Sequence, residues 1–171
     1  MDFTEYSDGE LLEAGRESLK LEQWERAKSF LTEYFDRHLA RGQAVPAAGL
    51  ASFALSLGHT KELRRGMELC KRALISDSRN PYISWCMANL HLLARSRKDA
   101  IDAVERGLRA APENFMLLRL RKKLGVRQPP PLPFLHRNHG LNVKLGRLMQ
   151  RGETTILQAR EREARPPDLF C

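Results

Sequence analysis

Small residues recur along this chain at a fixed interval, and that interval constrains the fold more than any other feature. Ala88 follows Ala54 by 34 positions, and Ala100 follows Gly66 by the same 34. An earlier copy of the pattern begins near Gly15, with about five extra residues between it and the second copy. Since two helices approach closely only where the side chains between them are small, the pattern predicts repeated helical hairpins. One such hairpin cannot bury its apolar face alone, so the copies must stack.

The local pattern up to residue 125 also favours helices. Apolar residues recur at spacings of three and four, and the alternation typical of strands is absent. Three prolines stand where helices would begin, and polar residues that can cap a helix stand near two of the starts: Pro46, Pro81 and Pro112, with Ser7 or Asp8 for the first helix and Asn80 for the fifth. We therefore predict an all-α fold, with repeats at about 8–41, 47–80 and 81–114 and a helix with a polar outer face at 113–125.

The order of large and small residues resembles the tetratricopeptide repeat family. The resemblance covers roughly 8–125 and is best in the third copy, at Met87-Ala88, Ala100, Val104, Gly107-Leu108 and the closing Pro112. It implies that residues 1–125 form a right-handed superhelix of three hairpins, with the helix at 113–125 as a cap. It also implies an adaptor or scaffold that binds a peptide or a helix of another protein on the concave face.

In this family the first helix of each hairpin lines the concave face. The corresponding candidate partner-binding residues here are Arg16, Lys20, Leu55, His59, Tyr82, Trp85, Asn89, Arg119 and Lys123. Tyr82 and Trp85 are aromatic residues of the kind that anchor bound peptides, and Asn89 is able to hydrogen-bond a peptide backbone. The alternative is that Trp85 packs between neighbouring hairpins. The Lys/Asn/Arg clamp that some family members use for C-terminal carboxylates is not reproduced, because Trp85 stands where the Lys would be.

The composition changes after residue 125. The stretch "VRQPPPLPFL" must be extended, because successive prolines forbid a helix, so 126–171 begins with a Pro-rich basic linker that we expect to form a strap. Apolar residues at Leu141, Leu145, Leu148 and Met149 form one stripe and predict a short amphipathic helix at 140–151. A flexible charged tail follows. We expect the short helix to dock on the repeats, with a second copy of the chain or a membrane as the alternatives.

The net charge of +8 is concentrated in one segment. Residues 112–151 hold nine Lys/Arg against one acidic residue, whereas residues 1–111 hold 17 against 16. A basic patch in this segment suggests an alternative function, the binding of RNA or an anionic membrane; its members are Lys122, Arg127, Arg137, Lys144 and Arg147. A solvated cap and linker is the simpler explanation of the charge.

The sequence contains no motif for catalysis, a cofactor or a metal. It lacks the Gly-rich phosphate loops and the zinc-protease and hydrolase motifs. Its three cysteines are widely spaced and odd in number, so neither a disulfide framework nor a zinc site is indicated. We therefore expect a non-enzymatic protein with no cofactor, in a reducing, cytoplasmic setting. A small chaperone for one specific client is a further alternative.

Overall fold

The computed structural model describes residues 3–125 together with Gly140, Leu141, Lys144, Leu145, Arg147 and Leu148. Seven helices cover most of the continuous part: α1 (Asp8–Lys20), α2 (Trp24–Ala40), α3 (Ala47–His59), α4 (Leu63–Ser76), α5 (Pro81–Leu93), α6 (Arg97–Ala110) and α7 (Phe115–Lys123). No strand occurs among the described residues. The prediction of an all-α fold is therefore confirmed, with each of the first three helix pairs in one predicted repeat.

The chain forms two compact units, Met1–Leu117 and Leu118–Cys171. The first contains the three hairpins. In the second, Leu118, Leu120 and Leu124 are buried. The described residues between 140 and 148 are helical and exposed. The predicted strap and the charged tail lie outside the described residues.

Local sequence explains where the first and fifth helices begin. The Ser7 backbone N–H donates to Glu10 Oε2 at 2.8 Å, and the Glu10 N–H donates to Ser7 Oγ at 3.3 Å. This reciprocal pair satisfies two backbone donors that a helix start otherwise leaves without partners. Asn80 caps α5 by accepting from the Tyr82 N–H at 3.0 Å, and Pro81 occupies the first helical position. Of the two candidate caps for α1, Ser7 is the one used.

The turn inside each hairpin has the same unusual backbone conformation. Glu22, Lys61 and Arg95 have φ values of 57°, 69° and 58°, in the left-handed region where glycine is the usual residue. In each turn the next N–H closes a bond to a carbonyl five residues back, as between Glu62 and Leu57 at 3.0 Å. This is the Schellman end of a helix, and it reverses the chain in very few residues.

Close approach of the helices occurs where the small residues predict it. A Cβ added to Gly66 of α4 would lie 2.5 Å from the Ala54 carbonyl oxygen of α3. A Cβ added to Gly15 of α1 would lie 2.6 Å from Leu31 Cγ of α2. At Gly66 the obstacle is backbone, so glycine sets how near α3 and α4 lie. At Gly15 the obstacle is the side chain of Leu31, which would have to shift.

Neighbouring hairpins stack through the first helix of the later hairpin, which packs against both helices of the earlier one. Helix α3 contacts α1 and α5, and it also contacts α2 and its own partner α4. Among the described residues, the second helices α2, α4 and α6 do not contact one another. We call the surface formed by α1, α3 and α5 the first-helix face. Because α3 has neighbours on four sides, every residue from 49 to 57 is buried.

Residues 3–7 form an N-terminal segment that packs on the first hairpin. The rings of Phe3 and Tyr6 meet the ring of Phe30 edge-on, with centroids 5.4 and 5.7 Å away. Arg37 donates to the carbonyl oxygens of Tyr6 at 2.6 Å and Phe3 at 2.7 Å. Bonds from a charged donor are stronger than neutral ones, so Arg37 holds the backbone of this segment against α2.

Candidate interaction surface on the first helices

Three of the predicted partner-binding side chains meet on the first-helix face. The Arg16 guanidinium carbon lies 5.5 Å from the centroid of the Tyr82 ring. That ring stacks on Trp85, with centroids 5.9 Å apart and the planes tilted by 23°. Arg16 comes from α1 and the two aromatic residues from α5. Side chains from the first and third hairpins therefore meet above α3, which lies between them.

Tyr82 is fixed by hydrogen bonding and burial. Its hydroxyl lies 2.8 Å from Ser52 Oγ of α3, and the Ser52 hydroxyl also donates to the Ala48 carbonyl oxygen at 3.0 Å. Burial raises the pKa of Tyr82 well above its usual value, against a small opposing effect of the Ser52 bond and of Arg16. The phenol therefore stays neutral.

Arg16 is partly buried, and its ion pair lies within its own helix. Its partner in an ion pair is Glu13 of its own helix, at 3.1 Å, and the Glu13 side chain is 71% exposed. The Arg16 Nε is buried and has no hydrogen-bond partner. An exposed ion pair of this kind contributes little to stability. The ring of Tyr82 is the contact that the guanidinium makes with another hairpin.

Asn89 lies one turn after Trp85 and is already engaged. Its side-chain amide donates to the Trp85 carbonyl oxygen at 2.8 Å. Trp85 and Asn89 are both partly exposed. This bond is to the backbone of α5 and leaves the Trp85 ring unconstrained, and it makes one of the two amide hydrogens of Asn89 unavailable for a peptide backbone.

Two predicted residues of the first two hairpins do not join this cluster. Leu55 is only 2% exposed, so it belongs to the core and offers no surface to a partner. The physical reason is that α3 is covered by α1 and α5 as well as by the second helices. Lys20 is exposed at the end of α1 and pairs with Glu17 at 2.9 Å.

His59 forms a separate feature with Trp24. The two rings are parallel within 5°, and their centroids are 3.5 Å apart. They line a shallow, open cleft together with Gln23, Glu25 and Arg26. Burial lowers the pKa of His59, while the charge of Glu22 partly opposes that effect. The role of Trp24 was not predicted, because only the folded chain brings the start of α2 to the end of α3.

The remaining predicted cations belong to the second unit. Arg119, Lys122, Lys123, Lys144 and Arg147 are all exposed. Arg127 and Arg137 lie outside the described residues. The described members of the basic patch, Lys122, Lys144 and Arg147, are therefore all accessible to solvent.

The described residues offer little reactive chemistry. Cys70 and Cys86 are buried; burial raises the pKa of Cys70 to about 12 and that of Cys86 well above its usual value. Thiols of this kind are poor nucleophiles because they stay protonated. No group of three His, Cys, Asp or Glu residues in the described part of the chain is placed to hold a metal ion. No helix described here has the length and apolar character to cross a membrane.

Comparison with known proteins identifies the class of fold. No family model matches the sequence, and no curated protein matches it. Among solved structures, the chain is similar to the tetratricopeptide repeat domain of OM64 from Arabidopsis, with a TM-score of 0.54 and 19% identity. The match covers 69% of this chain and 93% of the OM64 domain. The fold is therefore that of a tetratricopeptide repeat domain, as the resemblance of the sequence implied.

Proposed function

We propose that this protein is an interaction adaptor that binds a peptide or a helix of another protein on the first-helix face. The observation that carries the proposal is the Tyr82–Trp85 stack, which is partly exposed on α5 with Arg16 beside it. Large rigid aromatic residues bind well because they bury much area and lose little conformational entropy. The similarity to a tetratricopeptide repeat domain supports a role in binding proteins in general.

The exposure of Trp85 weighs against a purely structural role. Trp85 is partly exposed, whereas Leu90 and Met87 on the same helix are buried. Trp85 instead packs one face on Tyr82 and leaves part of its surface to solvent. Trp85 serves both as packing for Tyr82 and as a contact surface, because the stack that orients its ring also makes the ring rigid.

The experiment compares two truncations of exposed apolar side chains. Trp85→Ala removes the proposed anchor. Ile75→Ala is the matched control, because Ile75 is 84% exposed on the second helix α4. Proteins captured by the full-length chain are quantified by mass spectrometry for the wild type and both variants, with circular dichroism as the check on folding. We expect Trp85→Ala to capture at least tenfold less of the specific partner than the wild type does, whereas Ile75→Ala captures as much as the wild type. An unchanged set of partners for folded Trp85→Ala contradicts the proposal.

A second candidate function uses the basic segment 112–151. Its nine Lys/Arg against one acidic residue favour an RNA or an anionic membrane as the ligand. Binding to RNA, and separately to vesicles containing an anionic lipid, is measured between about 50 and 200 mM salt, a range over which several phosphate contacts lose affinity by orders of magnitude. Affinity that does not depend on salt rules this candidate out.

A further inference from the structure

We propose that the helical residues between Gly140 and Leu148 lie in the surface of an anionic membrane, with Leu141, Leu145 and Leu148 inserted among the lipids. The inference rests on the second candidate function, because it decides between the two ligands considered for the basic segment. It also names the residues that make the contact.

Three leucines of this segment form an exposed apolar stripe. Leu141, Leu145 and Leu148 are four and three positions apart, which places them on one face of a helix. Their exposed fractions are 52%, 40% and 70%. By contrast, Leu118 and Leu124 of the same unit are buried. An exposed apolar face on a helix marks a surface for another molecule.

Two cations lie along one edge of the stripe. Lys144 is about 40° from Leu148 around a regular helix, and Arg147 is about 100° from Leu148 in the same direction. Both cations are exposed. The sequence from 140 to 151 contains no acidic residue. A helix with an apolar face, an adjoining basic edge and no negative charge is typical of helices that lie in the interface of an anionic bilayer.

The rest of the basic segment adds to the attraction. Arg119, Lys122 and Lys123 of α7 are exposed in the same unit, and residues 112–151 hold nine Lys/Arg against one acidic residue. Each Lys or Arg near an anionic lipid surface strengthens binding by roughly fivefold. Charge therefore draws the segment to the membrane, and the leucines give it an apolar contact that charge alone does not.

The leucines also distinguish a membrane from the other possible ligands. RNA gains nothing from a leucine stripe, since single strands stack on aromatic rings, and residues 112–151 contain only Phe115 and Phe134. A second copy of the chain fits less well, because a stable protein interface buries about 800 Å² on each partner. Three partly exposed leucines on one short helix do not supply that area, and two such helices would bring like charges together.

The test measures sedimentation of the full-length chain with vesicles of phosphatidylcholine, prepared with and without phosphatidylserine. Each CH₂ group buried in lipid strengthens binding about fourfold, so Leu145→Ala/Leu148→Ala is expected to bind the anionic vesicles at least tenfold more weakly. The matched control is Leu39→Ala/Ile75→Ala, which removes two side chains that are 67% and 84% exposed in the first unit. That control should bind as the wild type does.

A second variant separates charge from apolar contact. Lys144→Gln/Arg147→Gln keeps the leucines and removes two positive charges. It should lower binding to the anionic vesicles by roughly tenfold or more. Vesicles without phosphatidylserine should bind the wild type more weakly than the anionic vesicles do. Circular dichroism checks that every variant is folded.

Three results overturn the inference. One is binding to anionic vesicles that the double leucine substitution leaves unchanged, since that shows attraction by charge alone. Another is binding to RNA without binding to vesicles. The third is a lower Tm or a loss of self-association in the leucine variant with no vesicle binding, which assigns the stripe to contacts within or between copies of the chain. The first two results leave the second candidate function standing, whereas absence of binding to both vesicles and RNA removes it.

Discussion

Replacing Gly66 by Ala tests the close approach of α3 and α4 on which the repeat depends. The added Cβ would lie 2.5 Å from the Ala54 carbonyl oxygen and 3.1 Å from the Gly58 nitrogen. Real Cβ contacts are essentially never below 3.0 Å, so the two helices must separate by at least 3.0 − 2.5 = 0.5 Å. The obstacle is helix backbone, which cannot rotate aside as a flexible side chain does.

The loss of stability comes from the packing contacts that weaken when the two helices separate. A gap of about 0.5 Å removes roughly a quarter of the dispersion energy between facing atoms, and overpacking a tight core costs about 1–3 kcal/mol. We take the upper end, about 3 kcal/mol, because the obstacle is rigid and because Leu69, Cys70 and Ala73 of α4 are all buried. Alanine returns about 1 kcal/mol through its higher helix propensity. The net expectation is a loss of about 2 kcal/mol in the free energy of unfolding.

Thermal denaturation by circular dichroism measures the effect. For a chain of this length, about 2 kcal/mol lowers Tm by roughly 4–8 °C. Gly9→Ala is the matched control, since a Cβ at Gly9 meets nothing within 4 Å and Gly9 also lies in a helix. We expect that variant to be unchanged or slightly more stable. If Gly66→Ala is as stable as the wild type, the small residues do not set the distance between the helices.

Two further predictions concern backbone strain and pH. Lys61 has a φ of 69°, which costs a non-glycine residue about 1 kcal/mol. Glycine relieves this strain but also makes the unfolded chain more flexible, which offsets part of the gain. Lys61→Gly should therefore raise the free energy of unfolding by about 0.5 kcal/mol. Gly42→Ala at a φ of 63° is the reverse control and should lose stability; a lower Tm for Lys61→Gly contradicts the reasoning. Burial lowers the pKa of both His59 and His91 from 6.5, so the unfolded chain binds more protons below pH 6.5 and stability should fall as the pH decreases from about 7 to 5. Urea denaturation measures the free energy of unfolding across this range. For His59→Phe, which keeps a ring against Trp24, that free energy should fall less steeply with decreasing pH than in the wild type. An equally steep fall excludes His59 as a source of the pH dependence.

The parts of the fold that the sequence predicts are those encoded by local or periodic patterns. The interval between small residues predicts the hairpins, because a residue such as Gly66 has one packing role at each repeat. The capping of α5 is also local, since Asn80 and Pro81 act within one turn of the helix that they begin. Neither inference requires knowing which helices from different hairpins become neighbours.

The candidate site was harder to predict because it depends on those neighbours. Leu55 has the periodicity of a face residue, but its exposure depends on how closely α1 and α5 approach across α3. The stacking of Trp24 on His59 joins the start of one helix to the end of another. The anchoring of Phe3 and Tyr6 by Arg37 joins residues more than 30 positions apart. No spacing rule for a single helix contains this information.

The small side chains of α3 explain how Tyr82 and Trp85 come to lie on the first-helix face. Helix α3 carries alanine and serine at Ala51 and Ser52, so α5 comes near enough for the Tyr82 hydroxyl to reach Ser52. That approach half-buries Tyr82 and places its ring within reach of Arg16. Trp85, one turn further along α5, stacks on the same ring and is also partly exposed. The same small residues that let α5 pack on α3 therefore place the two aromatic residues side by side on the first-helix face.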